Sequence, residues 1–183
     1  GMTLIRKLYF YYMKTNLLLT ILLALASFSL CSCNDDEDEY EGKSSTLINR
    51  ENKEAGEKFL EDNKSADGVK ETYTGLQYSV ITNGKGEQPA LKDSVIISFK
   101  GQLIDNTVFC DVDSFKVLVS DESEGMQEGL CLMSEGSEYK LFVPYYLAFG
   151  SNSKSFVYNN KNVSVGPYSA ILYTVELHKV IKR

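Results

Sequence analysis

The chain has 183 residues but only one histidine, four cysteines and three prolines, and no cluster of lysine and arginine. Each scarcity narrows the chemistry. The single histidine, His178, falls on the outward phase of a strand-like run with no Gly-x-Ser-x-Gly or other partner motif beside it. It gives no nucleophile and base pair and is expected to be a solvated strand residue. Metal-ligand spacing is absent, and the acidic run NDDEDEYEG lacks the spaced oxygens and glycine placement of a calcium loop. Lys85 stands in a Gly-Lys-Gly too short to cradle a phosphate. A net charge of −6 without a basic patch makes a nucleic-acid partner unexpected. No metal and no cofactor is expected.

Long apolar runs are also missing, except near the start. From Met13 the chain reads MKTNLLLTILLALASFSLCSC, a lysine followed by an apolar stretch and then small residues and cysteine. That order is a secretory signal, too short and wrongly flanked for a spanning helix. Residues 1–32 are therefore read as a signal segment, with Met13 a candidate start. Leu30-Cys31-Ser32-Cys33 resembles the bacterial lipoprotein box, which implies that Cys33 is acylated and becomes the mature N-terminus. Each buried acyl methylene contributes about 0.8 kcal/mol, so more than one chain gives stable anchoring. The expected location is the cell envelope, lipid-anchored to a membrane, with the outer membrane favoured and the domain periplasmic or surface-exposed.

Loss of residues 1–32 removes Arg6, Lys7 and Lys14 and no acid, which takes the net charge from −6 to −9. Residues 33–44, with their acidic run, resist collapse and are read as an extended spacer. Acids directly behind the lipidated cysteine also resemble the surface-export signal of some bacterial lipoproteins. Cys110 and Cys131 remain; an oxidising compartment permits a bridge, but two free, mostly buried thiols are the expected state.

Residues 45–68 carry a helical pattern, with Ser45 or Thr46 able to cap and Ile48, Ala55 and Phe59 on one narrow face. Such a stripe predicts a peripheral helix that packs weakly. From Tyr73 on the chain is strand-like. Val95, Ile97 and Phe99 alternate with Ser98 and Lys100, a polar turn follows at Asp105-Asn106, and TYTGLQYSVI, SFKVLVS, SEYKLFVP and SAILYTVELHKV show β-branched and aromatic runs. MQEGLCLM alone among them has helical composition. Strands in hairpin order with one short helix predict an α+β domain over residues 69–183, built on an antiparallel sheet.

Four stretches carry a family resemblance. NKEAGEKFLEDNKSADGVKETYTGLQYSVITNGKGEQP, with Gly75-Leu76-Gln77-Tyr78, KGQLIDNTVF, EGMQEGLCLMSEGSEYKLFVPYYLAFG and VGPYSAILYTVEL are similar, in order, to segments of FKBP-type peptidyl-prolyl isomerases of the lipoprotein and macrophage-infectivity-potentiator branch. The resemblance implies an antiparallel sheet of five or six strands curled around one short helix. It also implies proline-containing polypeptides as substrates. Catalytic positions would be Phe99, Phe109, Cys110, Met126, Phe149 and Tyr173, with substrate contacts at Phe115, Ser123, Val165, Phe156 and Tyr158.

Within the resemblance, this chain has Phe99 and Phe149 where the family usually has tyrosine, Cys110 for an aspartate, and Met126 for tryptophan or another aromatic. Glu122 and Ser123 stand where a valine-isoleucine pair is usual. The segment GSNSKSFVYNNKNVSVG is longer than its counterpart and, lacking a strand period, is expected to be a mobile flap. Two functions follow from the resemblance: an envelope-anchored prolyl isomerase that assists folding, or a catalytically weak module that binds polypeptide or a partner protein.

Overall fold

A computed structural model describes residues 44–183. The signal segment, Cys33 and nearly all of the acidic spacer lie outside the described residues. Helix α1 is Ser45–Asn63 and α2 is Glu124–Leu132. The strands are β1 Val69–Glu71, β2 Gln77–Thr82, β3 Ser94–Leu103, β4 Val108–Leu118, β5 Glu138–Val143, β6 Lys154–Tyr158, β7 Lys161–Val165 and β8 Ile171–Ile181. Among the described residues no helix is long and apolar enough to cross a membrane.

The alternation of apolar and polar side chains gives β3 its buried face, with Val95 and Ile97 fully covered. Its turn into β4 is made at Asn106 with φ 69°, where the Asn106 N–H donates to the Leu103 carbonyl at 2.9 Å. Asp105 locks the corner by accepting the Thr107 N–H at 2.9 Å. Six strands pair antiparallel in the order β1-β2-β5-β8-β3-β4, and β6 and β7 pair as a separate two-stranded sheet.

This corrects the expectation of a sheet curled around one short helix. The six-stranded sheet is open, because its order ends at β1 on one side and β4 on the other with no pairing between them. The two edges, three residues in β1 and eleven in β4, are each bonded on one side only, β1 to β2 and β4 to β3. Among the described residues two α-helices accompany it, the expected peripheral one and the short one. On α2, Gly125 and Gly129 lie four residues apart on one face, and a Cβ at either would run into Val143 or Leu141 of β5. Glycine at both places therefore sets how closely α2 lies on the sheet.

Of the Ile48, Ala55 and Phe59 stripe on helix α1, Phe59 packs on the domain, its ring centroid 6.2 Å from that of Phe142. Ile48 and Ala55 are exposed, whereas Gly56 is buried. A Cβ on Gly56 would come within 3.1 Å of the Ala170 Cβ, so the helix approaches through a residue that hydropathy does not mark. Polar groups complete the docking. Asn52 donates to the Pro167 carbonyl at 2.9 Å, and Asn63 donates at 2.9 Å to the buried side chain of Gln77, which itself donates to the Leu60 carbonyl at 2.8 Å. The chain end is fixed by the fully buried Asp93, which accepts the Ala90 and Arg183 N–H groups at 2.8 and 3.1 Å and meets the Lys182 ammonium at 3.2 Å. Those bonds hold its carboxyl down at about 2.

Candidate active site

Rings from β3, β4, β6, β8 and the segment after β5 meet on the core side of the sheet. Phe109 has Phe149 and Tyr173 edge-on at centroid distances of 6.4 and 6.2 Å, and Phe99 lies edge-on to Tyr173 at 6.1 Å. Edge-to-face contacts of this kind suit the ring quadrupoles and add to simple burial. Phe156 of β6 lies 4.7 Å from Phe109 and 5.9 Å from Phe149. Met126 and Val165 belong to the same buried core.

Gly101 makes room for this arrangement. It pairs with both Cys110 and Tyr173, and a Cβ there would lie 2.5 Å from the Phe109 ring and 2.7 Å from the Cys110 Sγ. Any larger residue would push the ring and the thiol out of place. Cys110 is half-buried and free, as is Cys131. Burial pushes the Cys110 thiol up to about 11, with the negative charge of Asp111 adding to it against the Gly101 N–H. The thiol is therefore neutral and a poor nucleophile at neutral pH.

Of the other expected positions, Phe115 stays 47% exposed and joins none of the ring contacts. Ser123 precedes α2, and its carbonyl accepts the Gln127 N–H at 2.8 Å. Tyr158 is partly buried at the far end of β6. His178 shares a 2.6 Å hydrogen bond with the Ser98 hydroxyl and stands 3.6 Å from Glu176.

The flap is not irregular. Lys154–Tyr158 and Lys161–Val165 pair from Lys154↔Val165 to Tyr158↔Lys161, around Asn159 and Asn160 with φ 50° and 59°. Two successive asparagines able to take positive φ are the signature of a two-residue hairpin, and that signal outweighs the serine-rich composition. Glu122, which stands where the valine-isoleucine pair is usual, lies just before α2 and is half-buried. Burial and then Asp121 raise its carboxyl above the usual range. Burial also raises the Tyr173 phenol, with Cys110 and Glu122 as the next contributors, so these groups share one environment.

Chemically the arrangement offers a closed, apolar cluster of aromatic rings bordered by a neutral thiol and a phenol. No group of three or more metal-ligating side chains occurs among the described residues.

Residues 85–178 match the family described as "FKBP-type peptidyl-prolyl cis-trans isomerase", and residues 35–80 match the "domain amino terminal to FKBP-type peptidyl-prolyl isomerase". A probable FKBP-type peptidyl-prolyl cis-trans isomerase FkpA of Neisseria meningitidis is 37% identical over 139 residues, 70% of this chain and 46% of that protein. The FKBP-type 22 kDa isomerase of Escherichia coli is 35% identical, with 69% of this chain and 60% of that one covered. The outer membrane protein MIP of Legionella longbeachae is 35% identical over 72% of this chain and 55% of that one. This chain thus spans about half the length of the curated relatives it matches. Among solved structures, the crystal structure of FkpA from Escherichia coli superposes with a TM-score of 0.67 at 29% identity, covering 75% of this chain and 63% of that one.

Proposed function

The chain belongs to the FKBP-type peptidyl-prolyl cis-trans isomerase family, and on that premise we propose that it catalyses prolyl isomerisation of polypeptides in the cell envelope, tethered through lipid on Cys33. The convergence of Phe99, Phe109, Phe149 and Tyr173 carries this reading. Rotation about an X-Pro bond is opposed by partial double-bond character, a barrier of about 18–20 kcal/mol. Stripping water from the amide and holding it twisted favours the state in which conjugation is lost. Aromatic walls suffice for that and neither nucleophile nor cofactor is needed, which fits a site whose thiol is neutral. Val165 and Ser123 flank these walls in the reading, and residues 33–44 space the domain from the membrane. The relative named as an outer membrane protein supports the envelope location.

A second reading has an observation in its favour. Phe99, Cys110 and Phe149 leave little polarity at the site edge, and burial keeps the Cys110 thiol neutral. A binding module that grips polypeptide without catalysis would need no more. A protease-coupled assay of the full chain on a proline tetrapeptide decides between them. Faster cis-to-trans conversion than the uncatalysed rate is expected; peptide binding without acceleration supports the module.

The anchor has its own test. Replacing Cys33 by serine is expected to abolish metabolic fatty-acid labelling of the full chain in cells. Persistent labelling of Cys33→Ser rules the attachment site out.

A further inference from the structure

We propose that the aromatic site is held shut by the chain's own Phe156, so that a proline-containing polypeptide binds by displacing this ring together with the β6–β7 hairpin. The inference rests on the reading of the site given above and adds its regulation. Phe109 is 1% exposed and Tyr173 5%, so a peptide cannot reach these rings until something moves. Phe156 is the ring nearest to Phe109 and also reaches Phe149, which puts it where an incoming proline ring would have to lie.

The hairpin is built to move as a unit. It forms its own two-stranded sheet apart from the six-stranded one. Phe156 and Val163 face each other across it on the more buried side, while Val157 next to them is 75% exposed. Among the described residues, no hydrogen bond or ion pair joins residues 153–165 to anything outside the hairpin. Apolar contact therefore holds it down, and Phe156 supplies the largest side chain of that contact.

Its ends are fixed. The Tyr168 N–H donates to the Gly150 carbonyl at 2.8 Å, Gly150 has φ 61°, and Tyr168 takes φ 57° with its ring 5.3 Å from that of Tyr145. A non-glycine residue in the left-handed region is costly and persists only where its surroundings hold it. The stem is thus fixed while the blade is held by side chains alone. A site that is open only a fraction of the time binds with a dissociation constant raised by the inverse of that fraction.

Two measurements on the full chain test this. Anisotropy of a fluorescein-labelled proline tetrapeptide should show Phe156→Ala binding about tenfold tighter than the wild type, the gain that corresponds to a wild-type site open about a tenth of the time, while Val157→Ala binds like the wild type. Where the wild type binds the peptide, unchanged or weaker binding by Phe156→Ala overturns the proposal and makes the ring a wall of the site. Without ligand, hydroxyl-radical footprinting should modify Phe109 and Tyr173 readily in Phe156→Ala and sparingly in Val157→Ala. Equal protection in both variants overturns it as well. Should no variant bind the peptide while Phe109 and Tyr173 become accessible in Phe156→Ala, the closing role stands and the reading as a proline site fails. Amide exchange of β3 and β8 is followed in every variant; if Phe156→Ala loses that protection, Phe156→Leu replaces it in both measurements, with the same outcomes deciding.

Discussion

Phe109→Ala is expected to lower the free energy of unfolding by about 3–5 kcal/mol, the usual cost of truncating a buried phenylalanine. The ring is 1% exposed and touches Phe149, Phe156 and Tyr173. Its loss removes transfer energy, leaves a cavity, and breaks ring pairs that each add about 0.5–1.5 kcal/mol. The site can partly collapse, because Phe156 is carried on a hairpin held by apolar contact. Phe156→Ala should therefore cost less in the Phe109→Ala background than in the wild type, with a coupling of about 0.5–3 kcal/mol for contacting residues. Urea unfolding of the two single variants and the double variant measures it. Strict additivity would mean that the two rings do not support one another.

Cys110→Asp is expected to destabilise the fold by about 1–3 kcal/mol, the cost of leaving a buried polar group unpaired. The surroundings are unfavourable to a second acid: burial already raises the thiol to about 11, Asp111 adds negative charge, and Glu122 lies in the same environment around Tyr173. A carboxyl placed there has its pKa raised. An acid with a folded pKa above its unfolded value of about 3.9 favours the fold below that value, and this is lost as pH rises through the folded pKa. The deficit relative to the wild type should thus be larger at pH 7 than at pH 4.

Adding Phe99→Tyr should recover part of this loss. Phe99 and Cys110 both border Tyr173, and a phenol can donate to the new carboxylate. Urea midpoints of Cys110→Asp with and without Phe99→Tyr, at both pH values, give the result. A Cys110→Asp variant as stable as the wild type at pH 7 would place the side chain in water rather than at a dry site edge. In the wild type the cysteine acts as a small apolar filler between Gly101 and Tyr173.

Much of the polypeptide's local order is written in its residues. The period of two in Val95, Ile97 and Phe99 fixes β3, and Asp105-Asn106 fixes the turn after it, because pleating and turn geometry depend on neighbours a few positions apart. The resemblance of four stretches named the rings Phe99, Phe109, Phe149 and Tyr173, and these come together. Hydropathy could not mark Gly56 as the contact of α1, since its contribution is the absence of a side chain where Ala170 must approach. The strands inside the flap are hidden in the sequence because serine and asparagine mask the alternation of Phe156, Tyr158, Val163 and Val165, although Asn159-Asn160 carries the hairpin signal. Whether the sheet closes is decided by the pairing of β1 and β4, strands far apart in the chain, and here each bonds to a single neighbour. The positions of Phe115 and Phe156 were settled in the same way. One is left exposed at an edge strand and the other is pressed onto Phe109, outcomes fixed by which surfaces pack in three dimensions and invisible to any local pattern.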